Sequence, residues 1–272
     1  MSKPFETLNP MAVYAEGINH SNYIQCVAPR IKKVLTNIGD LLDVGAGAGQ
    51  LGASLSSSEK QWVTIEPDPY MRNCLKQYPN CSQVIASGWQ EVTDLPDQSF
   101  DTVLAANMIA PQAQANQFLE RCRYWSRNAI IWLVPSQRGP KNLCLAGCLP
   151  EEWINEENVT GYERVITQLS ISDYPDHTLT ADWTFNYITN NIDQIATHMA
   201  NQLDWGKTDL RRTAMRDHLY NQSIREGQNY RLQVAKQSTI LIWLNINYKT
   251  IDDHSAENSV SKATKGLYQL YP

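Results

Sequence analysis

The sequence lacks long apolar runs and any excess of positive charge. No stretch approaches the roughly 20 apolar residues of a membrane-spanning helix, and residues 1–10 lack the apolar core of a signal peptide. Lys and Arg number 23 against 28 Asp and Glu, a net charge of −5. Nonspecific nucleic-acid affinity comes mainly from Lys and Arg. We therefore expect a cytoplasmic protein with no membrane partner and with nucleic acid as an unfavoured one, and the sequence predicts no oligomeric state.

Cysteine is sparse and scattered. Cys144 and Cys148 could share a helix face, but no clustered histidines accompany them, and no spacing resembles a zinc site. We expect no bound metal and mostly reduced, packed thiols. The full set is Cys26, Cys74, Cys81, Cys122, Cys144 and Cys148.

Glycine is concentrated in one stretch, residues 41–55, which reads LLDVGAGAGQLGASL. Four mostly apolar residues predict a buried strand, the glycines a tight loop, and helix signals resume at Gln50. The free N–H groups at such a helix start favour a polar or anionic ligand. A turn without any ligand is one alternative. A dinucleotide site is another, because Gly47, Gly49 and Gly52 also match G-x-G-x-x-G.

Asp43 gives the loop a more specific reading. The pattern Asp43-x-Gly45-x-Gly47-x-Gly49 resembles the first motif of class I S-adenosylmethionine-dependent methyltransferases. Two features count against a dinucleotide site: Asp43 lies inside the strand, and the G-x-G-x-x-G pattern would begin two residues after the strand ends. The resemblance implies that S-adenosylmethionine is the cofactor, that Gly45, Ala46, Gly47 and Gly49 surround its methionine portion, and that Asp43 organises the loop.

Later motifs follow in the family's order. Residues 61–66, QWVTIE, predict a second strand that ends in a carboxylate, and Glu66 with Pro67 resembles the family's ribose-binding segment. A carboxylate there can accept two hydrogen bonds from a ribose diol. Ser87, Gly88 and Trp89 stand where the family recognises adenine, although the usual acidic residue is missing, and the Trp89 ring is a candidate for stacking on the base.

A fourth strand follows the turn at residues 95–101, which closely resembles the family's turn into that strand. The strand ends at Asn107, and the resemblance places this residue beside the methionine part of the cofactor and the transferred methyl group. The Asn/Asp-Pro-Pro-Tyr signature of many enzymes that methylate base or glutamine amino groups is absent. A helix at residues 117–127 and a fifth, fully apolar strand at residues 129–134 come next.

Catalytic candidates come from the N-terminal segment. His20 has an imidazole suited to accept a proton at neutral pH, but a lone histidine beside Ser and Asn is more often a helix cap or a surface residue. Tyr14 is a second candidate, and Tyr23 a candidate substrate contact at the start of a predicted helix. In the family such segments often cover the cofactor pocket.

Substrate identity should be encoded beyond residue 134, where the resemblance fades. Arg138 is a candidate contact for an anionic group, although exposed turns carry charges anyway. Trp183 is a candidate aromatic contact on an alternating strand, although such aromatics more often belong to the core. Residues 230–234 and 239–246 also read as strands. With a turn at residues 236–238 they predict an antiparallel hairpin that closes the sheet.

Together these patterns predict an α/β protein with a doubly wound, seven-stranded, mostly parallel sheet of the Rossmann-like methyltransferase type. We expect a single domain over residues 1–247, with an N-terminal cap at 1–38, a lid insertion after strand 5 at about 136–229, and a polar tail at 248–272. The expected activity is direct methyl transfer to a small molecule. An RNA or protein methyltransferase, docking through arginines of residues 208–225, and a methyltransferase-like module that binds without turnover are the alternatives.

Overall fold

The computed structural model describes residues 8–108, 110–137, 144–153 and 159–244. Arg138 and the predicted tail at 248–272 lie outside the described residues. Among the helices of the described ranges, none has the length and apolar character that crossing a bilayer requires.

One sheet organises the molecule, with strand order β3-β2-β1-β4-β5-β8-β6 and β7 paired to β8. Strands β1 to β5 run parallel, whereas β8 is antiparallel to β5, β6 and β7. This mostly parallel α/β sheet confirms the predicted fold class. The strands are β1 (Leu41–Val44), β2 (Trp62–Ile65), β3 (Gln83–Ile85), β4 (Phe100–Ala106), β5 (Ser126–Pro135), β6 (His177–Thr189), β7 (Ile224–Glu226) and β8 (Asn229–Leu244).

Helices flank the sheet, and four of those described, the first, fourth, sixth and seventh, begin at a side-chain cap. Asn9 caps the first helix through the N–H of Met11, and Asp68 caps the fourth through the N–H of Met71. Each cap is followed by proline at the first helical position, where a missing N–H costs nothing. The helices are α1 (Pro10–Asn19), α2 (Tyr23–Val34), α3 (Gln50–Leu55), α4 (Pro69–Leu75), α5 (Ala115–Trp125), α6 (Gly161–Ile166), α7 (Ile192–Gln202) and α8 (Arg211–Gln222).

The core lies on both faces of the sheet. Successive strand residues point to opposite faces, so Leu41 and Leu104 join one cluster while Leu42 and Val103 join the other. All four are fully buried. Burial on both faces explains why the parallel strands read as continuous apolar runs.

The predicted hairpin at the end of the chain is wrong. Residues 229–244 form the single strand β8, and positions 236–238 pair with positions 183–181 of β6 instead of turning. The polar run 236–238 is compatible with a strand because β8 there passes the carboxyl end of β5, where its side chains meet a cavity and solvent. The strand that pairs with β8 is β6, which lies inside the predicted lid segment at 136–229, so that part of the segment belongs to the sheet.

Candidate active site

A cavity of about 900 Å³ opens at the carboxyl ends of β1, β2, β4 and β5. Ligands of doubly wound sheets bind at this edge, and the volume is at the upper end for small-molecule sites. Helix α1 and strands β6 and β8 complete its walls. The predicted site residues on its lining are Tyr14, Tyr23, Asp43, Gly45, Ala46, Gly47, Glu66, Pro67, Asn107 and Trp183.

The glycine loop between β1 and α3 forms one wall. Gly45, Gly47 and Gly49 all have positive φ, at 65°, 57° and 86°, a conformation that side chains rarely adopt. A Cβ on Gly45 would meet the Met108 side chain at 2.6 Å, whereas one on Gly47 would meet nothing within 4 Å. The backbone at Gly47 therefore faces open space in the cavity.

Asp43 lies beneath this loop and explains the glycine at position 52. A Cβ on Gly52 would lie 2.1 Å from Oδ2 of Asp43, so the carboxylate occupies that space. Gly52 is therefore required by packing inside α3, without a dinucleotide. Burial raises the pKa of Asp43 to about 7, and the charge of Glu66 adds to this shift.

Glu66 follows β2 directly and connects two loops. Its Oε2 accepts a hydrogen bond from the N–H of Gly47 at 2.8 Å, and its Oε1 accepts one from the N–H of Asp68 at 2.8 Å. Burial raises the pKa of Glu66, while these two N–H groups hold it down. Each oxygen retains a second lone pair for a ligand hydroxyl.

Asn107 ends β4 and organises two tyrosines. Its φ of 55° is unusual for a residue with a side chain, and such strain clusters at functional sites. The Asn107 amide Nδ2 donates to the hydroxyl of Tyr23 at 3.1 Å and to that of Tyr14 at 3.4 Å. Burial raises the pKa of Tyr14 to about 12 and that of Tyr23 well above its usual value. Both side chains are therefore neutral phenols at physiological pH.

An aromatic wall joins the N-terminal helices to β6. The ring of Tyr14 stacks on Phe185 with centroids 6.4 Å apart, and that of Tyr23 packs on Trp183 at 4.7 Å. Nε1 of Trp183 donates to the hydroxyl of Ser238 on β8 at 3.1 Å. These contacts hold α1 and α2 over the cavity.

Helix α1 also closes over the glycine loop itself. Nε2 of Gln50 donates to the carbonyl of Ala15 at 3.2 Å and to Oδ1 of Asn19 at 2.8 Å. The first residue of α3 is thereby joined to the covering helix. A ligand on the loop would be shielded from solvent on this side.

Several predicted site residues lie elsewhere. His20 is exposed at the C-cap of α1 and lies off the cavity lining, which favours the cap or surface alternative over a general base. Ser87 and Gly88 both donate to Oε2 of Glu91, outside the cavity lining. Gly49 also lies off the lining, at the N-cap of α3.

The Trp89 ring cannot stack on a base. It is only 6% exposed and packs edge-on against Phe118, with centroids 5.0 Å apart. The predicted stacking on adenine is therefore wrong, because the Trp89 ring packs in the hydrophobic core.

The cavity also contains residues that sequence reasoning missed. Lys236 on β8, Arg164 on α6 and Cys144 line it. A signal for Lys236 was present, because Leu232, Val234, Ser238 and Ile240 continue a period-two pattern through its position. The pattern was obscured by interpreting residues 236–238 as a turn.

The lining fits S-adenosylmethionine. The open backbone at Gly47 leaves room for close approach of a ligand, and the buried carboxylate of Glu66 can accept from a ribose diol. The charge of the Glu66 carboxylate also makes this end of the cavity acidic, which suits a cationic sulfonium. The ribose role of Glu66 stays a prediction.

Comparison with known proteins gives a family match over part of the chain. A family model described as "Methyltransferase domain" matches residues 42–128, the segment from β1 to β5 that contains the loop, Glu66 and Asn107. No curated protein matches the sequence.

Solved structures that show some similarity to this chain include three with methyltransferase names. A putative type II methyltransferase from Anaeromyxobacter dehalogenans has 16% identity and a TM-score of 0.47, covering 81% of this chain and 95% of that one. Magnesium protoporphyrin IX methyltransferase from Synechocystis PCC 6803 has 9% identity and a TM-score of 0.39, covering 88% and 86%. A putative RNA methyltransferase from Pyrococcus horikoshii has 12% identity and a TM-score of 0.45, covering 89% and 92%.

Proposed function

We propose that this protein, a class I S-adenosylmethionine-dependent methyltransferase, transfers the methyl group to a small molecule. The observation that carries the proposal is the cavity of about 900 Å³ covered by α1, β6 and β8. This volume accommodates a cofactor together with a modest acceptor. The acceptor would lie between the acidic end at Glu66 and the aromatic wall at Trp183.

The chain's own residues would mainly position and shield the acceptor. S-adenosylmethionine, when bound, supplies an activated methyl group, so alignment of the nucleophile is the protein's main task. The hydroxyls of Tyr14 and Tyr23 accept from Asn107 and keep their own protons to donate to an acceptor. Their raised pKa values exclude a general-base role at neutral pH, so an acceptor that is already unprotonated fits best.

An RNA acceptor receives less support from the arginines of α8. Arg211 forms an ion pair with Asp209 at 2.6 Å, and Arg216 one with Asp217 at 2.8 Å. Arg212 donates to the side chain of Asn201 and to the carbonyl of Gly206. All three side chains therefore have partners within the protein, and none of them lines the cavity.

A cytoplasmic setting belongs to the same proposal. All six cysteines are free thiols, with Cys122 and Cys148 buried. Free thiols are the usual state in a reducing compartment.

Release of S-adenosylhomocysteine tests the proposal. The purified protein with S-adenosylmethionine would receive either the low-molecular-weight filtrate of a cell lysate or the retained RNA and protein. We expect product release with the filtrate alone. Release of S-adenosylhomocysteine only with the macromolecular fraction would show that the acceptor is RNA or protein. Release with neither fraction would favour a binding module without turnover.

A further inference from the structure

Lys236 occupies an inward-facing position of β8. Side chains two apart on a strand share a face, and its neighbours on that face, Val234 and Ser238, are 3% and 2% exposed. Across the ladder it pairs with Trp183 of β6, which is 7% exposed and lines the cavity. A lysine is rare in such a buried row unless a partner is present.

No protein carboxylate neutralises this lysine within the described residues. The ion pairs of that part of the chain involve other cations. Asp182, the acid next to Trp183, lies on the opposite face of β6 and accepts from Gln237 at 2.7 Å. The thiols of Cys144 and Cys148 lie near the ammonium, but burial raises their pKa values to about 11 and 12, so both are neutral.

The cavity therefore has a negatively charged end and a positively charged side. The Glu66 carboxylate makes the β2 end acidic, whereas Lys236 lines the cavity from β8. A cationic cofactor suits the acidic end and would be repelled at the lysine. The strands that carry Asn107 and Lys236 are two spacings, about 10 Å, apart. A small organic molecule can span that distance.

We propose that Lys236 binds a carboxylate of the methyl acceptor, so the substrate class is a small organic acid with an apolar or aromatic body. This inference rests on the proposed function and names its substrate. A lysine provides one compact point charge, which suits a monoanion, and the neighbouring Trp183 and Phe185 provide an apolar surface for the rest of the molecule.

Calorimetric titration with benzoate as a minimal probe tests this assignment. Benzamide is its neutral match, and saturating S-adenosylhomocysteine would occupy the cofactor end. We expect benzoate to bind wild-type protein about tenfold or more tighter than benzamide, since hydrogen bonds to charged groups are the stronger ones. Lys236→Met should reduce benzoate binding to the level of benzamide, and Lys236→Arg should retain the preference for the acid.

Matched controls separate binding from folding. Lys33→Met removes an exposed lysine on α2 and should leave benzoate binding unchanged. Lys236→Met should melt at or above the wild-type temperature, because it removes a partly buried charge that has no carboxylate partner among the described residues. S-adenosylhomocysteine should bind all variants equally.

The assignment is overturned if wild-type protein binds benzamide as tightly as benzoate, or if Lys236→Met still prefers the acid. If either of these binding results occurs while S-adenosylhomocysteine is still released with the small-molecule filtrate, the carboxylate subsite is refuted and the proposed function remains. If benzoate binds as predicted but S-adenosylhomocysteine is released only with the macromolecular fraction, the proposed small-molecule function is refuted and the carboxylate subsite at Lys236 stands.

Discussion

At the scale of residues, the cofactor end of the cavity was more predictable than the acceptor end. Backbone conformation and hydrogen bonding permit few other residue types at this end. The motif could therefore be read directly from the sequence at Asp43, Gly45, Gly47 and Glu66. Trp89 was mispredicted because a motif position fixes where a residue lies along the chain, whereas packing decides which way its ring points.

Asp43 should make the stability of the protein depend on pH. Its pKa rises from 3.8 to about 7 on folding, so the folded state binds the extra proton and stability falls as pH rises through this window. Asp43→Asn removes the titration. We expect the variant to gain about 2 kcal/mol relative to wild type between pH 5.5 and pH 8, measured by urea unfolding of the free protein.

Asp97→Asn, at an exposed position, serves as the control for charge loss and should show no such difference. An equal effect of Asp43→Asn at both pH values would contradict the burial argument.

At the scale of elements, strands β1, β2 and β5 followed from their apolar runs, and helix α3 from the helix signals that resume at Gln50. The long strand β8 did not, because its polar stretch at residues 236–238 has the composition of a turn. What decides the outcome is pairing with β6 over residues 177–189, a contact between segments that are distant in sequence.

Proline at Ser238 tests the continuity of β8. Ser238 has partners on both sides, Ala181 of β6 and Pro135 of β5, so a proline there removes an N–H from an internal strand. We expect Ser238→Pro to be roughly 1–3 kcal/mol less stable than Ser238→Ala in urea unfolding. The alanine variant loses the same hydroxyl but keeps the N–H. Equal stability of the two would favour a turn at this position.

At the scale of the whole molecule, charge decides between classes of partner. The net charge of −5 disfavours a long phosphate backbone, and Arg211 and Arg216 of α8 form ion pairs with neighbouring aspartates. The sequence shows the net negative charge of the chain. Only the structure shows that these arginines have partners within the protein and that Lys236 lines the cavity.

Bulk transfer RNA should therefore not be retarded by this protein in a gel at physiological salt. The double variant Arg211→Gln with Arg216→Gln should release S-adenosylhomocysteine from the small-molecule filtrate at the wild-type rate. Salt-dependent retardation that this variant abolishes would show instead that α8 is a docking face for RNA.

The most direct test of the cofactor site is calorimetric titration of wild-type protein and Glu66→Ala with S-adenosylmethionine. Glu66→Ala removes the acceptor of the Gly47 N–H and the proposed ribose ligand, so we expect about tenfold weaker binding or more. Glu59→Ala, an exposed acid after α3, should bind like wild type, and NAD should bind neither. Equal affinity of Glu66→Ala and wild type, or binding of NAD in place of S-adenosylmethionine, would contradict the account.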